Sequence, residues 1–352
     1  MTRSETLRFA ILGAGVAADY HRQAIAANEH RGARLAAVGY YDPARFDEIS
    51  AAFDAPCVTY EDLLSSREVD AVCICTPSGQ HADQATAAAR AGKHVLVEKP
   101  MALSLEGADR MTAACAEAQV KLGVVLQRRA QPLFQRIHAA VSAGDLGRLT
   151  LGQVALPYFR PQAYFDQADW RGTWTEDGGG VLMNQGIHLV DLLLWTMGNP
   201  VDVAAYAATL SRDIDVEDTL VATLRFPDGA MATISATTTA SPGFPHRLEI
   251  YGTGGGIQLE GENVRRWELA DPESASVEPA SASGPSEAGA GSRPRGISPT
   301  GHINIVKDFM EALRDDRPPM VGGAEGRRSL ETVLAIYAAA GLRSKRGEMA
   351  HA

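Results

Sequence analysis

Residues 7–27 read LRFAILGAGVAADYHRQAIAA, and this stretch decides the fold. Leu7–Leu12 is an apolar run of strand length, two glycines follow it at once, and an alanine-rich helical pattern comes next. A strand, a Gly-x-Gly-x-x-Ala turn and a helix in this order are typical of a dinucleotide-binding βαβ unit. In such a unit Gly13 permits the tight turn, Gly15 lets the backbone approach a pyrophosphate, and Ala18 lets the helix pack closely on the strand.

Strand-like and helix-like segments continue to alternate over the first 125 residues. Further strands are predicted at 34–41, 69–76, 94–97 and 121–126. Strands separated by helices of this length predict a parallel sheet built from right-handed crossovers. We therefore predict an α/β protein whose residues 1–125 form a Rossmann domain with a doubly wound parallel sheet.

The pattern changes from about Leu149. Short strands at hairpin spacing are predicted at 149–156, 203–210, 219–226, 230–238, 247–251 and 257–260. Turn signals such as Pro227-Asp228-Gly229 divide them, which predicts an open, mostly antiparallel sheet packed on helices. Residues 126–352 are accordingly predicted to be a C-terminal α+β domain. Within it, the Ser-, Ala- and Gly-rich residues 270–300 predict a mobile loop, and Gly252–Gly256 predicts a hairpin turn rather than a phosphate loop.

Charge and composition exclude several classes of protein. The chain has 352 residues with 33 Lys+Arg and 43 Asp+Glu, a net charge of −10, which argues against nucleic-acid binding. It has no apolar run of about 18 residues that would span a membrane, and no signal peptide is expected at its start. The cysteines at 57, 73, 75 and 115 lack CxxC spacing, so we expect buried thiols, no metal site and a cytoplasmic protein.

Asp42 is the first carboxylate after the second predicted strand, and its role has two interpretations. It accepts hydrogen bonds from the ribose hydroxyls, which favours NAD over NADP, or it caps the next helix while Tyr40 and Tyr41 flank the adenosine. Arg45 is near enough to accommodate a 2′-phosphate. Both cofactors therefore stay open, with NAD preferred.

Lys99 lies in Glu98-Lys99-Pro100, directly after the predicted strand 94–97. A lysine at the carboxyl end of a parallel strand points into the crevice where such sheets bind ligands. Partial desolvation there lowers its pKa toward neutrality, which suits proton transfer.

Residues 178–191, GGGVLMNQGIHLVD, predict a helix that follows three glycines. Asn184, His188 and Asp191 fall at i, i+4 and i+7 and would share one face of a regular helix. A polar stripe on an apolar helix must meet water, a partner or a ligand. Asn184 and Asp191 would then orient the imidazole of His188, as a catalytic histidine requires.

These motifs together resemble the Gfo/Idh/MocA oxidoreductase family over essentially the whole chain. They are the glycine loop, Thr76-Pro77 with His81, Glu98-Lys99-Pro100, Gly179-Gly180 leading to Gly186-x-His188-x-x-Asp191, and Glu325-Gly326-Arg327. The resemblance implies hydride transfer between NAD or NADP and a hydroxyl-bearing carbon of a sugar, cyclitol or nucleotide sugar. It also implies a homodimer or homotetramer formed through the C-terminal sheet.

The resemblance also implies roles for particular residues. Lys99 would relay the proton of the reacting hydroxyl, His188 would be the general base, and Asn184 stands where many members carry Asp. The implied cofactor-binding residues are Gly13, Gly15, Val16, Ala17, Asp42, Thr76, Pro77, His81, Glu98 and Lys99. The candidate substrate-binding residues are Arg128, Trp170, Arg171, Asn184, His188 and Asp191.

The arginines among these candidates suit a sugar with an anionic or nucleotide group, and tryptophan suits a sugar face or a base. An alternative is that Trp170 and Trp174 pack the domain junction. Two other functions also fit the same motifs. One is an NAD-dependent, glycoside-cleaving enzyme that oxidises its substrate transiently, and the other is a non-catalytic dinucleotide-binding regulator.

Overall fold

The computed structural model describes residues 6–281, 291 and 298–342. They form two compact units. Unit 1 contains the described residues up to 130 together with 298–327, and unit 2 contains 131–281, 291 and 328–342.

Ten α-helices occur among the described residues. They are α1 (Val16–Ala27), α2 (Phe46–Phe53), α3 (Tyr60–Ser65), α4 (His81–Arg90), α5 (Leu105–Glu117), α6 (Pro132–Ala143), α7 (Gln162–Phe165), α8 (Ile187–Met197), α9 (Thr300–Arg314) and α10 (Gly323–Ala339). Helix α9 belongs to unit 1, and α10 runs across the division at residue 327.

Unit 1 is built on a six-stranded sheet. Its strands are β1 (Leu7–Leu12), β2 (Ala33–Gly39), β3 (Cys57–Val58), β4 (Ala71–Ile74), β5 (His94–Val97) and β6 (Leu122–Val124). All pairs are parallel and the order is β3-β2-β1-β4-β5-β6, which is the doubly wound Rossmann order. The prediction of the N-terminal fold is confirmed.

The strand register brings three loops of unit 1 to one edge of this sheet. Leu12 pairs with Ile74, and Ile74 pairs with Val97, so β1, β4 and β5 end side by side. The residues that follow these strands, beginning with Gly13, Cys75 and Glu98, therefore start from neighbouring positions. Ligands of open α/β sheets bind outside this carboxyl edge.

The sequence-based boundary at 125/126 placed residues 298–327 in the second domain, whereas the structure groups them with unit 1. The reason is contact between α9 and α1. The rings of Tyr20 and His302 stack with centroids 5.0 Å apart. The buried amide of Asn28 donates hydrogen bonds to the carbonyls of Ala24 (2.9 Å) and Ile303 (3.0 Å).

Unit 2 contains a seven-stranded sheet. Its strands are β7 (Leu149–Pro157), β8 (Asp202–Ala208), β9 (Thr219–Arg225), β10 (Met231–Thr237), β11 (Arg247–Gly252), β12 (Gly255–Glu260) and β13 (Asn263–Leu269). The order is β13-β12-β11-β7-β10-β9-β8, and every pair is antiparallel except β7 with β10. The prediction of a mostly antiparallel sheet is confirmed, and the glycine run forms the β11–β12 hairpin.

Strand β13 was missing from the sequence-based prediction. A register irregularity opposite Gln258 and Leu259 breaks its pairing with β12. As a result Val264 and Trp267, three residues apart, are its buried side chains. The alternation of period two that predicts a strand is therefore absent from Asn263–Leu269.

The outer face of this sheet carries apolar side chains. Tyr206, Val221 and Met231 on β8, β9 and β10 are 82%, 49% and 58% exposed in the chain alone. Association of two copies through this face, which the family resemblance implies, stays a prediction that sedimentation velocity can test.

Other expectations have mixed outcomes. Of the loop predicted at 270–300, residues 282–290 and 292–297 lie outside the described residues, while Asp145 accepts the backbone N–H groups of Ser276 and Val277. The cysteines are free thiols, and burial raises the pKa of Cys73 and of Cys75. Within the described parts of the chain, no helix is long and apolar enough to cross a bilayer.

Candidate functional site

The glycine loop between β1 and α1 has one crowded and one open glycine. Gly13 has φ +102°, its N–H donates to the carbonyl of Gly39 at 2.9 Å, and an added Cβ would lie 2.8 Å from the carbonyl oxygen of Cys75. Gly15 has φ −86°, and an added Cβ there would meet no atom within 4 Å. Gly13 is thus required by the fold, whereas the space over Gly15 is open to a ligand.

Helix α1 begins directly after this open position. No side chain caps its N-terminus, and Ala18 is fully buried against the sheet. The first backbone N–H groups of a helix lack intrahelical acceptors and carry partial positive charge. The residues present therefore fit the pyrophosphate of a dinucleotide, with Gly15, Val16 and Ala17 as the surface that would hold it.

Both interpretations of Asp42 have some support. One carboxylate oxygen accepts the N–H of Ala44 at 3.0 Å and caps the short 3-10 helix Pro43–Arg45. The other oxygen accepts no hydrogen bond within the described parts of the chain. Arg45 donates to both carboxylate oxygens of Glu48 (2.8 and 3.0 Å) and to the Tyr40 hydroxyl (3.0 Å).

His81 joins the loops that follow β4 and β5. Its ring is buried, with Nδ1 2.8 Å from the carbonyl oxygen of Pro100 and Nε2 2.9 Å from that of Thr76. Both partners only accept, so a neutral ring donates to one of them and an imidazolium to both. Because burial lowers the pKa of His81, the neutral ring is favoured near neutral pH. His81 thus contacts the backbone of both predicted cofactor loops.

Glu98 and Lys99 differ in exposure at the end of β5. The Glu98 carboxylate is buried and Lys99 is half-buried. Burial by itself raises the pKa of Glu98, but hydrogen bonds and charges from His21 and His302 outweigh it and hold the pKa well below its usual range. Glu98 is therefore a buried anion, while Lys99 is partly accessible at the sheet edge where the glycine loop also begins.

In unit 2, the predicted regular helix over 181–191 is wrong in its first part. Val181–Gly186 is a π-helix, and α8 begins at Ile187. Asn184 lies in the wide π turns, whereas His188 and Asp191 lie in α8, so the three do not share the spacing of one regular α-helix. Wide turns of this kind are frequent at functional sites.

Glu217 holds the start of this helix. Its carboxylate accepts the backbone N–H groups of Gly180 (2.8 Å) and Leu182 (3.0 Å) and the hydroxyl of Tyr337 (2.8 Å). An added Cβ at Gly180 would collide with the Glu217 backbone, and one at Gly179 would collide with the Tyr337 ring. Gly180 and Gly179 are therefore needed for close approach to the Glu217 backbone and to the Tyr337 ring.

The three polar residues of this segment have different environments. Asn184 donates through Nδ2 to Oδ1 of Asp177 at 2.7 Å. Asp191 is buried and accepts the hydroxyl of Ser329 at 2.7 Å, which makes it part of the packing of unit 2. His188 is half-buried in the first turn of α8. Asn184 thus has a buried carboxylate partner, Asp177, seven residues earlier in the chain.

Arginine and aromatic side chains gather in the segment after β7. The Arg171 guanidinium carbon lies 4.5 Å from the Tyr164 ring centre and 4.6 Å from that of Trp170, and Nη1 donates to the Tyr164 hydroxyl at 2.6 Å. The buried Arg160 contacts the same Tyr164 ring at 5.7 Å. We call Arg160, Tyr164, Trp170 and Arg171 the arginine cluster.

Asp177 connects the arginine cluster to the helix start. The N–H of Gly172, next to Arg171, donates to Asp177 Oδ2 at 3.0 Å, and Asp177 Oδ1 accepts from Asn184. Arg128, another candidate, is buried on the 3-10 helix Gln127–Ala130 of unit 1. Trp174 packs edge-on against Tyr337, and both residues belong to unit 2.

Sequence reasoning missed five residues of these sites. They are His21, Asp177, Glu217, His302 and Tyr337, all buried. The only signal for Glu217 is its place in Glu217-Asp218, an acidic pair directly before an apolar strand.

Two stretches of the chain match family models. Residues 7–126 match an oxidoreductase family with an NAD-binding Rossmann fold, and residues 134–258 match the GFO/IDH/MocA C-terminal domain. The inositol 2-dehydrogenase of Rhizobium meliloti is 30% identical over 75% of this chain and 79% of its own. The chain belongs to the Gfo/Idh/MocA oxidoreductase family. It is an oxidoreductase with an NAD-binding Rossmann domain.

Other members of the Gfo/Idh/MocA family are also similar along most of the chain. The 1,5-anhydro-D-fructose reductase of Ensifer adhaerens is 32% identical over 80% of each chain. The WlbA dehydrogenase of Bordetella pertussis, whose crystal structure contains NADH and UDP-GlcNAcA, is 35% identical with a TM-score of 0.84 over 96% of this chain and 97% of its own. These relatives are dehydrogenases and reductases of sugars and cyclitols.

Replacing Glu217 tests its role at the helix start. Burial raises the pKa of Glu217 to about 7 against an ordinary 4.5, although its three donors oppose this. Between these values the folded chain binds a proton that the unfolded chain does not, so the contribution of Glu217 to stability falls as pH rises. We compare the free energy of unfolding of wild type with that of Glu217→Gln. We expect this difference to decrease as pH rises from about 5 to 8, by about 3 kcal/mol at most.

Urea unfolding of both proteins across this pH range measures that difference. A difference that is constant with pH, or that grows as pH rises, contradicts the raised pKa of the buried Glu217 carboxyl.

Proposed function

We propose that this protein is an NAD-dependent dehydrogenase or reductase that acts on a CH–OH carbon of an anionic sugar, with Lys99 and His188 handling the hydroxyl proton. The observation that carries the proposal is the placement of Lys99. It follows β5 at the carboxyl edge where β1 ends in the open glycine loop, and it is half-buried there. The family membership supports the same chemistry.

Oxidation of a carbinol carbon removes a hydride, which a bound nicotinamide accepts, and a hydroxyl proton, which a side chain must take up. Lys99 and His188 are the two candidates for this second task. A neutral amine or imidazole accepts the proton from oxygen as the C–H bond breaks, and the charged form returns it in the reverse direction. Asn184, held by Asp177, is proposed to orient the same hydroxyl as a hydrogen-bonding amide.

Replacing Lys99 tests the proposal. We expect Lys99→Ala to lower kcat by about 10³, which is typical for loss of a general acid–base group, while NADH binding changes little. Lys121→Ala is the matched control, because Lys121 precedes β6 at the opposite edge of the sheet and pairs with Asp316. Turnover of a panel of free, phosphorylated and UDP-linked sugars is followed by the absorbance of reduced cofactor.

His188→Ala and the double variant complete this experiment. If both side chains act on one proton, the double variant loses much less than the product of the single losses. Residual kcat of Lys99→Ala within tenfold of wild type contradicts the proposal. Product formation without any reduced cofactor indicates transient oxidation instead.

NAD is proposed as the cofactor rather than NADP. The Arg45 guanidinium is occupied by Glu48 and Tyr40, so a 2′-phosphate would have to displace the Glu48 carboxylate. The Asp42 carboxylate oxygen that does not accept the Ala44 N–H suits ribose hydroxyls and repels a phosphate. We expect kcat/KM to be higher with NAD than with NADP, and the reverse order contradicts this preference.

The arginine cluster supports an anionic group on the substrate. Arg171 donates to the Tyr164 hydroxyl, and its buried Nε has no hydrogen-bond acceptor within the described parts of the chain. Arg160 is a second cation against the same Tyr164 ring, and its pKa is lowered by burial and by the charge of Arg171. Two neighbouring guanidinium groups favour a carboxylate or phosphate ligand. The similar Bordetella enzyme binds UDP-GlcNAcA, which carries both groups.

A charge-selective loss of affinity is the expected result of changing Arg171. We expect Arg171→Met to raise KM for carboxylate- or phosphate-bearing sugars by about tenfold to 100-fold, as for loss of a charged hydrogen bond, and to leave KM for neutral sugars unchanged. Arg266→Met is the control, since Arg266 is exposed and pairs with Glu268. Equal changes in KM for charged and neutral sugars contradict the anionic site.

A further inference from the structure

A buried cluster of two histidines and one carboxylate includes Glu98, the residue directly before Lys99. His21 from α1 and His302 from α9 both place Nε2 near Oε1 of Glu98, at 3.1 and 3.4 Å. The three side chains are 1%, 6% and 9% exposed for His21, His302 and Glu98. We call them the His–Glu–His cluster. Their ligand atoms lie close enough together for a metal ion as well as for hydrogen bonds.

The second nitrogens of the imidazoles favour hydrogen bonds. Nδ1 of His21 and Nδ1 of His302 are buried and have no hydrogen-bond partner within the described residues. If Nε2 bound a metal, each Nδ1 would carry a hydrogen and need an acceptor, which metal-bound histidines almost always have. If Nε2–H donates to Glu98, each Nδ1 is only an unused lone pair.

The protonation states agree with this assignment. Burial lowers the pKa of His21, which keeps its ring neutral, while the pKa of Glu98 stays well below its usual range. Two imidazole N–H groups that donate to one carboxylate form a stable buried group, because the anion receives charge-assisted hydrogen bonds.

The second carboxylate oxygen of Glu98 connects the cluster to Lys99. Oε2 accepts the backbone N–H of Lys99 at 3.2 Å. On the other side of Lys99, the carbonyl oxygen of Pro100 lies 2.8 Å from Nδ1 of His81. Hydrogen bonds thus hold the backbone at Lys99 and at the following Pro100. The Glu98 carboxylate that accepts the Lys99 N–H is held in turn by His21 of α1 and His302 of α9.

We propose that His21 and His302 are positioning residues for Lys99 and act through the Glu98 carboxylate. The two imidazoles fix the plane of the carboxylate, the carboxylate fixes the Lys99 backbone, and the backbone sets where the amine stands. A displacement of about 1 Å at a reacting group costs on the order of 10² in rate. This inference rests on the proposed function of Lys99.

Asn28 provides a control for a merely structural role. Its amide also joins α1 to α9, through the carbonyl of Ile303, but it does not contact Glu98. Loss of the Asn28 amide therefore weakens the contact between α1 and α9 without changing the hydrogen bond between Glu98 and Lys99. Asn28→Ala and a His302 variant of similar stability separate packing from positioning.

The experiment compares His302→Leu, His302→Gln and Asn28→Ala in the full chain. We expect His302→Leu to lower kcat by about tenfold or more, as misplacement of a reacting group does, with NADH affinity unchanged. His302→Gln restores most of kcat, because its amide N–H replaces Nε2–H. Asn28→Ala lowers the unfolding midpoint and keeps kcat near that of wild type.

A second readout needs no substrate. The rate at which the Lys99 amine is reductively methylated, mapped by mass spectrometry, should change in His302→Leu and not in Asn28→Ala. Equal effects of His302→Leu and Asn28→Ala on kcat and on labelling would overturn the inference and leave only packing. Stabilisation of wild type but not of His302→Leu by added Zn²⁺ would overturn it in favour of a metal site.

Failure of the inference differs from failure of the proposed function. If Lys99→Ala keeps its turnover, the role of Lys99 fails whatever His302 does. If Lys99→Ala is inactive and His302→Leu is fully active with unchanged labelling, only the positioning role fails.

Discussion

Burial of the Glu98 carboxylate is the constraint on which the architecture of unit 1 depends. An ionised carboxylate removed from water must receive hydrogen bonds, and here they come from α1, from α9 and from the backbone of Lys99. This requirement accounts for the place of α9, a helix late in the sequence that belongs to the Rossmann unit. It also brings a buried anion to the carboxyl edge of the sheet, directly before the lysine that the proposed chemistry uses.

Unit 2 also has buried carboxylates at the start of the helical segment that carries Asn184 and His188. Glu217 accepts two backbone N–H groups and the Tyr337 hydroxyl, and Asp177 accepts from Gly172 and Asn184. In both units a buried carboxylate fixes backbone next to a side chain proposed to act on substrate. Because unpaired buried carboxylates are costly, these arrangements hold the reactive groups in one geometry.

The local motifs could be predicted from the sequence, and the long-range partners could not. The glycine loop, Lys99 after β5 and the hairpin at Gly252 each depend on neighbouring residues whose pattern is visible in the chain. Glu98 meets His302 across 204 positions, and Glu217 meets Tyr337 across 120, and no local pattern encodes such pairs. The start of the π-helix is held by Glu217, a partner that is likewise distant in the sequence. Asp42 stayed open because its carboxylate can cap a helix and bind ribose with different oxygens.

The central claim is that a hydride leaves a substrate carbon while side chains of this chain move the hydroxyl proton. The most direct measurement is the fate of deuterium placed on the ring carbons of a uronic or UDP-linked sugar that the protein turns over with NAD. We expect one deuterium to reach C4 of the nicotinamide, as seen by mass spectrometry, and the rate to show a primary isotope effect. Product formation with the label lost to water, or with an unlabelled cofactor, would contradict it.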